Sequence, residues 1–130
     1  MSMCRGRTLA LAALLAATTL PASGQDHDLE AARRLALNHC GACHAFAAGE
    51  AHRQGPNLHG VLSRPAGGAE DFAYSDAFRK ALAGKSWTAE LLDSWLEDPQ
   101  AVAPGTVMLY RQADPDKRAM LVRFLQSLEP

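Results

Sequence analysis

Cys40-Gly41-Ala42-Cys43-His44 decides how this chain is to be read. C-x-x-C-H is the covalent attachment signature of a c-type haem: two thiols three positions apart each bond one vinyl group of the same porphyrin. The residue that follows then lies where its imidazole reaches the iron, which makes His44 the first axial ligand. Two other chemistries use a C-x-x-C pair. A zinc site needs a second Cys or His pair downstream, and no cysteine follows Cys43. A thioredoxin-like pair opens a helix inside a strand-rich α/β pattern, whereas the flanks here read as helix and Gly/Pro-rich loop.

Upstream, residues 1–24 have the layout of a secretory signal: Arg5 and Arg7 form a basic start, Thr8 to Leu20 an apolar stretch, and Ala22-Ser23-Gly24 a small-residue cleavage site. Cleavage is expected after Gly24, leaving residues 25–130 as one domain. The apolar stretch is short for a membrane span, and nothing later approaches the ~20 apolar residues a spanning helix needs. Retention as an N-terminal anchor is the alternative. Cys4 would leave with the signal, so the only remaining cysteines are those of the motif. Loss of Arg5 and Arg7 takes the basic residues from 13 to 11 against 14 acidic ones, a formal charge of −3. That balance argues against nucleic acid as a partner. A domain of this size has a modest apolar core, so haem and fold should depend on each other.

Downstream, periodicity places the helices. Asp26 and Asp28 offer cap and first-turn charge to a helix carrying Leu29, Ala32, Leu35 and Ala36, which runs into the motif. Ala45 to Asp71 is expected to be mostly loop wrapping one side of the porphyrin. A short helix is expected over Ser75 to Ala83. Thr88 caps a third, with Leu91, Leu92, Trp95 and Leu96 on one side and Pro99 closing it. After a second loop containing Pro104-Gly105, Asp114 as cap and Pro115 at the first position open a last helix. Its stripe of Leu121, Phe124, Leu125 and Leu128 should pack on the N-terminal helix. No strand is expected.

Whether the protein fills the second axial position separates electron carriage from small-molecule chemistry. Met108 and Met120 are the methionines beyond the signal. Met120 falls inside an amphipathic helix, where methionine is usually core filler. Met108 lies in the irregular loop after Pro104-Gly105 and is the candidate ligand; packing on the porphyrin without bonding is the alternative. His52 and Arg53, adjacent in a loop, read as solvated surface residues.

Taken in order, Cys40 to His44, Gly55-Pro56-Asn57-Leu58-His59-Gly60, Phe72-Ala73-Tyr74-Ser75-Asp76-Ala77, Trp87, and Leu96-Glu97-Asp98-Pro99 leading into Pro104-Gly105-Thr106-Val107-Met108 resemble the mitochondrial-type class I cytochrome c family. The resemblance covers nearly all of the chain beyond the signal. It implies an all-α fold of three to five helices around one covalently bound haem c with its iron. It also implies thioethers at Cys40 and Cys43, and His44 and Met108 on the iron. The Pro56 carbonyl would take the other N–H of His44, and Arg64, Tyr74 and Trp87 would hydrogen-bond the propionates, with Thr106 near a propionate on the methionine side.

The function implied is that of a carrier, not a catalyst: a monomer shuttling single electrons between redox complexes such as a quinol-oxidising complex, a dehydrogenase, an oxidase or a peroxidase. Attachment after export points to a bacterial periplasm. The competing function is a haem peroxidase or gas sensor with a labile sixth ligand. Several positions depart from the family pattern. Trp95 stands where a tyrosine usually lies beside the methionine sulfur. Phe78 falls near a usual asparagine, and Ala32 and Ala36 replace a glycine and an aromatic residue at the contact of the terminal helices. Tyr110 takes the position of an aromatic near the exposed haem edge. Gln100, Ala101 and Val107 occupy positions that are often basic, so electrostatic steering should be weak.

Overall fold

A computed structural model describes residues 23–130. Most of the expected signal segment, including its basic start and apolar stretch, lies outside the described residues. Five helices follow one another: α1 (Ser23–Cys40), α2 (Asp76–Leu82), α3 (Ala89–Glu97), α4 (Pro99–Val102) and α5 (Pro115–Gln126). Val61–Ser63 forms one 3-10 turn. Among the described residues there is no strand, only an isolated antiparallel bridge between Pro65 and Ser86.

The starts of α2, α3, α4 and α5 each have a side-chain cap that removes an orphan N–H. Ser75 accepts from the Phe78 amide, Thr88 from Leu91, Asp98 from Gln100, and Asp114 from both Asp116 and Lys117. Pro99 does more than close α3. With its fixed φ and no N–H it suits the first position of a helix, and it opens α4. The expected stop is therefore a sharp corner between two helices. Leu128, assigned to the stripe of α5, lies just beyond that helix and is half-buried.

The largest helix contact joins α1 to α5. Ala32 and Ala36 are 0 % and 1 % exposed, and such small side chains let the two backbones approach closely. From α5, Leu121, Val122, Phe124 and Leu125 are buried, and Phe124 meets the edge of Phe46 with ring centroids 5.4 Å apart. The chain end closes the same side. The Glu129 carboxylate accepts from the Leu62 amide at 2.9 Å and from the Ser63 hydroxyl, and Leu128 offers its carbonyl to the Gly60 amide.

This core does not close on itself. Val61, Phe78, Trp87, Leu92, Trp95, Leu96, Leu121 and Leu125 are core residues that also face a cavity of about 380 Å³. Helices, 3-10 turn and loops are arranged around this space.

Candidate functional site

The cavity is entered from the C-terminal end of α1. Beyond Cys40 the chain turns tightly, with the amides of Cys43 and His44 both donating to the Cys40 carbonyl at 3.0 and 2.9 Å. The turn presents Cys40, Cys43 and His44 to one space. Gly41 is required there, since a Cβ would lie 2.5 Å from the Leu37 carbonyl oxygen. Burial and the neighbouring Cys43 push the Cys40 thiol up to about 11. The Cys43 thiol points to the Gln54 side-chain carbonyl at 3.4 Å.

His44 is fixed from behind. Its Nδ1 lies 2.7 Å from the Pro56 carbonyl, an acceptor only, so Nδ1 carries the proton and Nε2 keeps its lone pair. Burial lowers the pKa of the imidazole, partly opposed by the Pro56 bond, which keeps the ring in the neutral, ligating form. Gly55 makes this approach possible: a Cβ on it would sit 2.3 Å from His44 Cε1. The loop is locked further by the Gly55 amide on the Cys43 carbonyl at 2.7 Å.

Behind the loop, Asn57 is 7 % exposed and its side-chain amide donates to the carbonyls of Ala47 and Glu50, both at 2.8 Å. His52 and Arg53, expected as solvated, belong to this framework. His52 accepts from the Asn57 amide through Nδ1 at 2.9 Å and donates from Nε2 to the Glu70 carbonyl at 2.7 Å. Arg53 donates to the Gly41 carbonyl and pairs with Glu50. Arg53 is exposed, as expected, and His52 half-buried, and both also serve backbone groups in a segment without regular structure.

The loop between α4 and α5 supplies the other polar atom of interest. Met108 lines the cavity, and its sulfur accepts a hydrogen bond from the Trp95 indole N–H at 3.2 Å. The replacement of the usual tyrosine by Trp95 thus keeps a donor on the sulfur. Thr106, Tyr110, Arg64, Tyr74 and Trp87 line the same cavity.

The Arg64 guanidinium donates to the carbonyls of His59 and Asn57, which uses two of its five N–H groups and leaves three. The Tyr74 hydroxyl accepts from the Ala69 amide at 3.3 Å, and burial raises its pKa. Thr106 is buried. Phe78, in place of a polar residue, stacks on Tyr74 at 4.7 Å and meets the Trp95 edge at 5.4 Å. An aromatic cluster thus backs this wall. Tyr110 receives the Gln112 amide at 3.0 Å and lies 3.1 Å from His39 Nδ1.

Among the described residues no three His, Cys, Asp or Glu side chains gather as a bare-ion site would need. The lining fits a large flat apolar group with polar edges instead: mostly apolar walls, two thiols, an imidazole with a free Nε2, a thioether, and donors at the margin. The family model for cytochrome c matches residues 29–129. The chain belongs to the cytochrome c family. It is 38 % identical over 99 residues to cytochrome c-550 of Novispirillum itersonii, covering 69 % of this chain and 89 % of the relative. Cytochrome c2 of Blastochloris viridis is 34 % identical over 114 residues, 87 % of this chain and 86 % of the relative. Cytochrome c of the plant Stellaria longipes is 36 % identical over 103 residues, 78 % and 94 %.

As a class I cytochrome c, the protein has one covalent haem c with its iron as cofactor, and its activity is electron carriage. Four contributors to the site were not assigned from sequence: Gln54, Gly55, Asn57 and Gln100. Gly55 and Asn57 flank Pro56 and were visible as part of a Gly-Pro-Asn turn. Gln100 carried no signal beyond the absence of a charge.

Proposed function

We propose that this cytochrome c is an exported carrier of single electrons in a bacterial periplasm, with Cys40 and Cys43 in the thioether bonds and His44 and Met108 as axial ligands. The observation that carries the proposal is the meeting of these four side chains at one largely apolar cavity. The bound haem supplies an iron that cycles between ferrous and ferric states by one electron. The residues set the terms of that cycle. Apolar walls disfavour the added positive charge of the ferric state, and the neutral thioether of Met108 is a weak donor, so both favour a positive potential. Pro56 holds the His44 ring in one orientation, which keeps the ligand geometry alike in the two states. Arg64, Tyr74, Trp87 and Thr106 serve the propionates, whose charge needs donors once it is withdrawn from water.

The protein works as a monomer that meets a quinol-oxidising complex, a dehydrogenase, an oxidase or a peroxidase. The first 24 residues act as the export signal, and no described helix is long and apolar enough to cross a membrane. At the loop that carries Met108, Val107 and Leu109 are each 77 % exposed, while Arg111 in the same loop is paired with Asp98. Docking there is led by apolar contact and shape. The bimolecular rate with a partner complex should therefore depend only weakly on ionic strength. A steep fall with added salt would refute this part of the proposal.

The ligand assignment is tested by the visible spectrum of the ferric protein. A weak far-red charge-transfer band in the wild type that vanishes in Met108→Ala supports it. A wild type without the band makes peroxidase or gas-binding chemistry the better account.

A further inference from the structure

We infer that Gln100 is a positioning residue for Met108: its side-chain amide splints the loop that carries the sulfur and so controls how readily a foreign ligand displaces it. The inference rests on Met108 as the sixth ligand. Gln100 lies in the first turn of α4, where its own amide N–H is held by the Asp98 carboxylate at 2.9 Å. Asp98 is fixed in turn by its N–H on the Ser94 carbonyl at 3.1 Å and by Arg111 at 2.8 Å. The base of the Gln100 side chain is therefore anchored to the end of α3, the helix that also carries Trp95.

From that base one amide group reaches three peptide units. Its Oε1 accepts from the Gly105 amide at 3.1 Å, and its Nε2 donates to the Thr106 carbonyl at 2.8 Å and to the Met108 carbonyl at 3.4 Å. The carbonyl and both amide hydrogens of the side chain are thus engaged. The segment needs such support. Gly105 has φ of +89°, and the segment alternates, with Thr106 buried and Met108 half-buried, while Val107 and Leu109 are each 77 % exposed. No apolar packing on the outer side presses the loop inward. Beside the packing of Met108 on the core, three polar bonds hold the segment in place: Gln100 on the Met108 backbone, the Trp95 indole on its sulfur, and, farther along, the Gln112 backbone amide on the Leu96 carbonyl at 2.8 Å.

An amide is the side chain that accepts and donates in this pattern. A lysine at position 100 would donate but leave the Gly105 N–H without its acceptor, and an alanine would do neither. What the sequence shows as a missing positive charge is, in the fold, a brace for the ligand loop.

The test is the rate at which imidazole binds the ferric holoprotein, read as loss of the far-red band, in wild type, Gln100→Ala and Gln100→Glu. Urea unfolding of each is followed by far-UV circular dichroism. Both variants should bind imidazole about tenfold faster, which corresponds to ~1.4 kcal/mol, with unfolding midpoints close to wild type. Gln100→Glu is included because it keeps the acceptor for Gly105 and loses only the donations to Thr106 and Met108. An unchanged rate in Gln100→Ala overturns the inference. So does acceleration matched by an equal loss of global stability, which would make Gln100 a general structural residue. If the wild type has no far-red band, the Met108 assignment fails and the inference falls with it; if the band is present and the rates agree, only the inference falls.

Discussion

The two walls of the cavity are held in different ways. On the His44 side backbone bonds carry most of the constraint, the turn after Cys40, the Gly55 amide on Cys43 and the Leu58 amide on Ala45 at 2.9 Å, with the side chains of His44, Asn57, His52 and Arg53 tied to loop backbone beside them. On the Met108 side backbone bonds are fewer, the Thr106 amide on Ala103 and the Gln112 amide on Leu96, and the bonds that reach Met108 itself come from side chains, the amide of Gln100 and the indole of Trp95, under an outer surface of exposed Val107 and Leu109. A backbone-locked wall tolerates little movement, whereas one held by side-chain hydrogen bonds of about 1 kcal/mol each can open locally without unfolding the rest. The first wall suits permanent attachment, and the second suits a ligand whose hold is tuned.

The comparison is broken most severely from the first wall. His44→Ala removes the imidazole and the bond to Pro56 together, and the domain, whose core residues surround the cavity, should lose its tertiary structure with its haem. Near-UV circular dichroism and the haemochrome spectrum of the purified protein would report both losses. Next in size is Met108→Ala. It leaves the first wall intact, so the haem stays covalently bound, but the potential should fall on the order of 0.1 V or more, within the ~0.8 V range over which axial ligands act. A protein-film voltammogram showing no shift would mean that the two walls do not share the work as described.

Gly55→Ala sharpens the contrast. A Cβ placed 2.3 Å from the imidazole cannot be absorbed by a flexible chain end, because the ring is pinned by Pro56. The loop must shift, at a cost of about 1–3 kcal/mol by urea denaturation of the holoprotein. Gly49, also in the loop after the motif, has open space around an added Cβ, but its φ of +72° strains any side chain. Alanine there should cost only about 1 kcal/mol, so the pair separates collision with the His44 ring from backbone strain.

Much of the architecture was legible in the sequence because its signals are local. Caps at Thr88 and Asp114 act within one helical turn, and the apolar spacing of α1 and α5 needs no knowledge of partners. Pro99 was misread because a proline both ends one helix and begins another, and only the Asp98 cap decides which. At the site, the motif and its resemblance pointed to the cavity-lining residues. They did not reveal what holds them. The bonds of His52 to Glu70, Arg53 to Gly41 and Gln100 to Gly105, Thr106 and Met108 join side chains to backbone of irregular loops. Such bonds leave no periodicity and no spacing rule to read.

The smallest effect tests the finest feature of the second wall. With Met108 on the iron as proposed, the Trp95 indole N–H would draw electron density from the sulfur it contacts at 3.2 Å, weaken the sulfur as a donor and favour the ferrous state. Trp95→Phe keeps an aromatic ring in the cluster with Phe78 and Trp87 but removes the donor. The potential should then move down, since the sulfur becomes the better donor. Only the difference in hydrogen-bond strength between the two oxidation states enters, a fraction of the ~1 kcal/mol of the bond itself, so the shift should be on the order of tens of millivolts. Trp95→Tyr restores a hydroxyl donor at the same place and should recover part of the loss. An upward shift in Trp95→Phe would mean that the ring's bulk, excluding water from the sulfur, outweighs its hydrogen bond, and the second wall would then owe its tuning to packing as the first owes its rigidity to backbone.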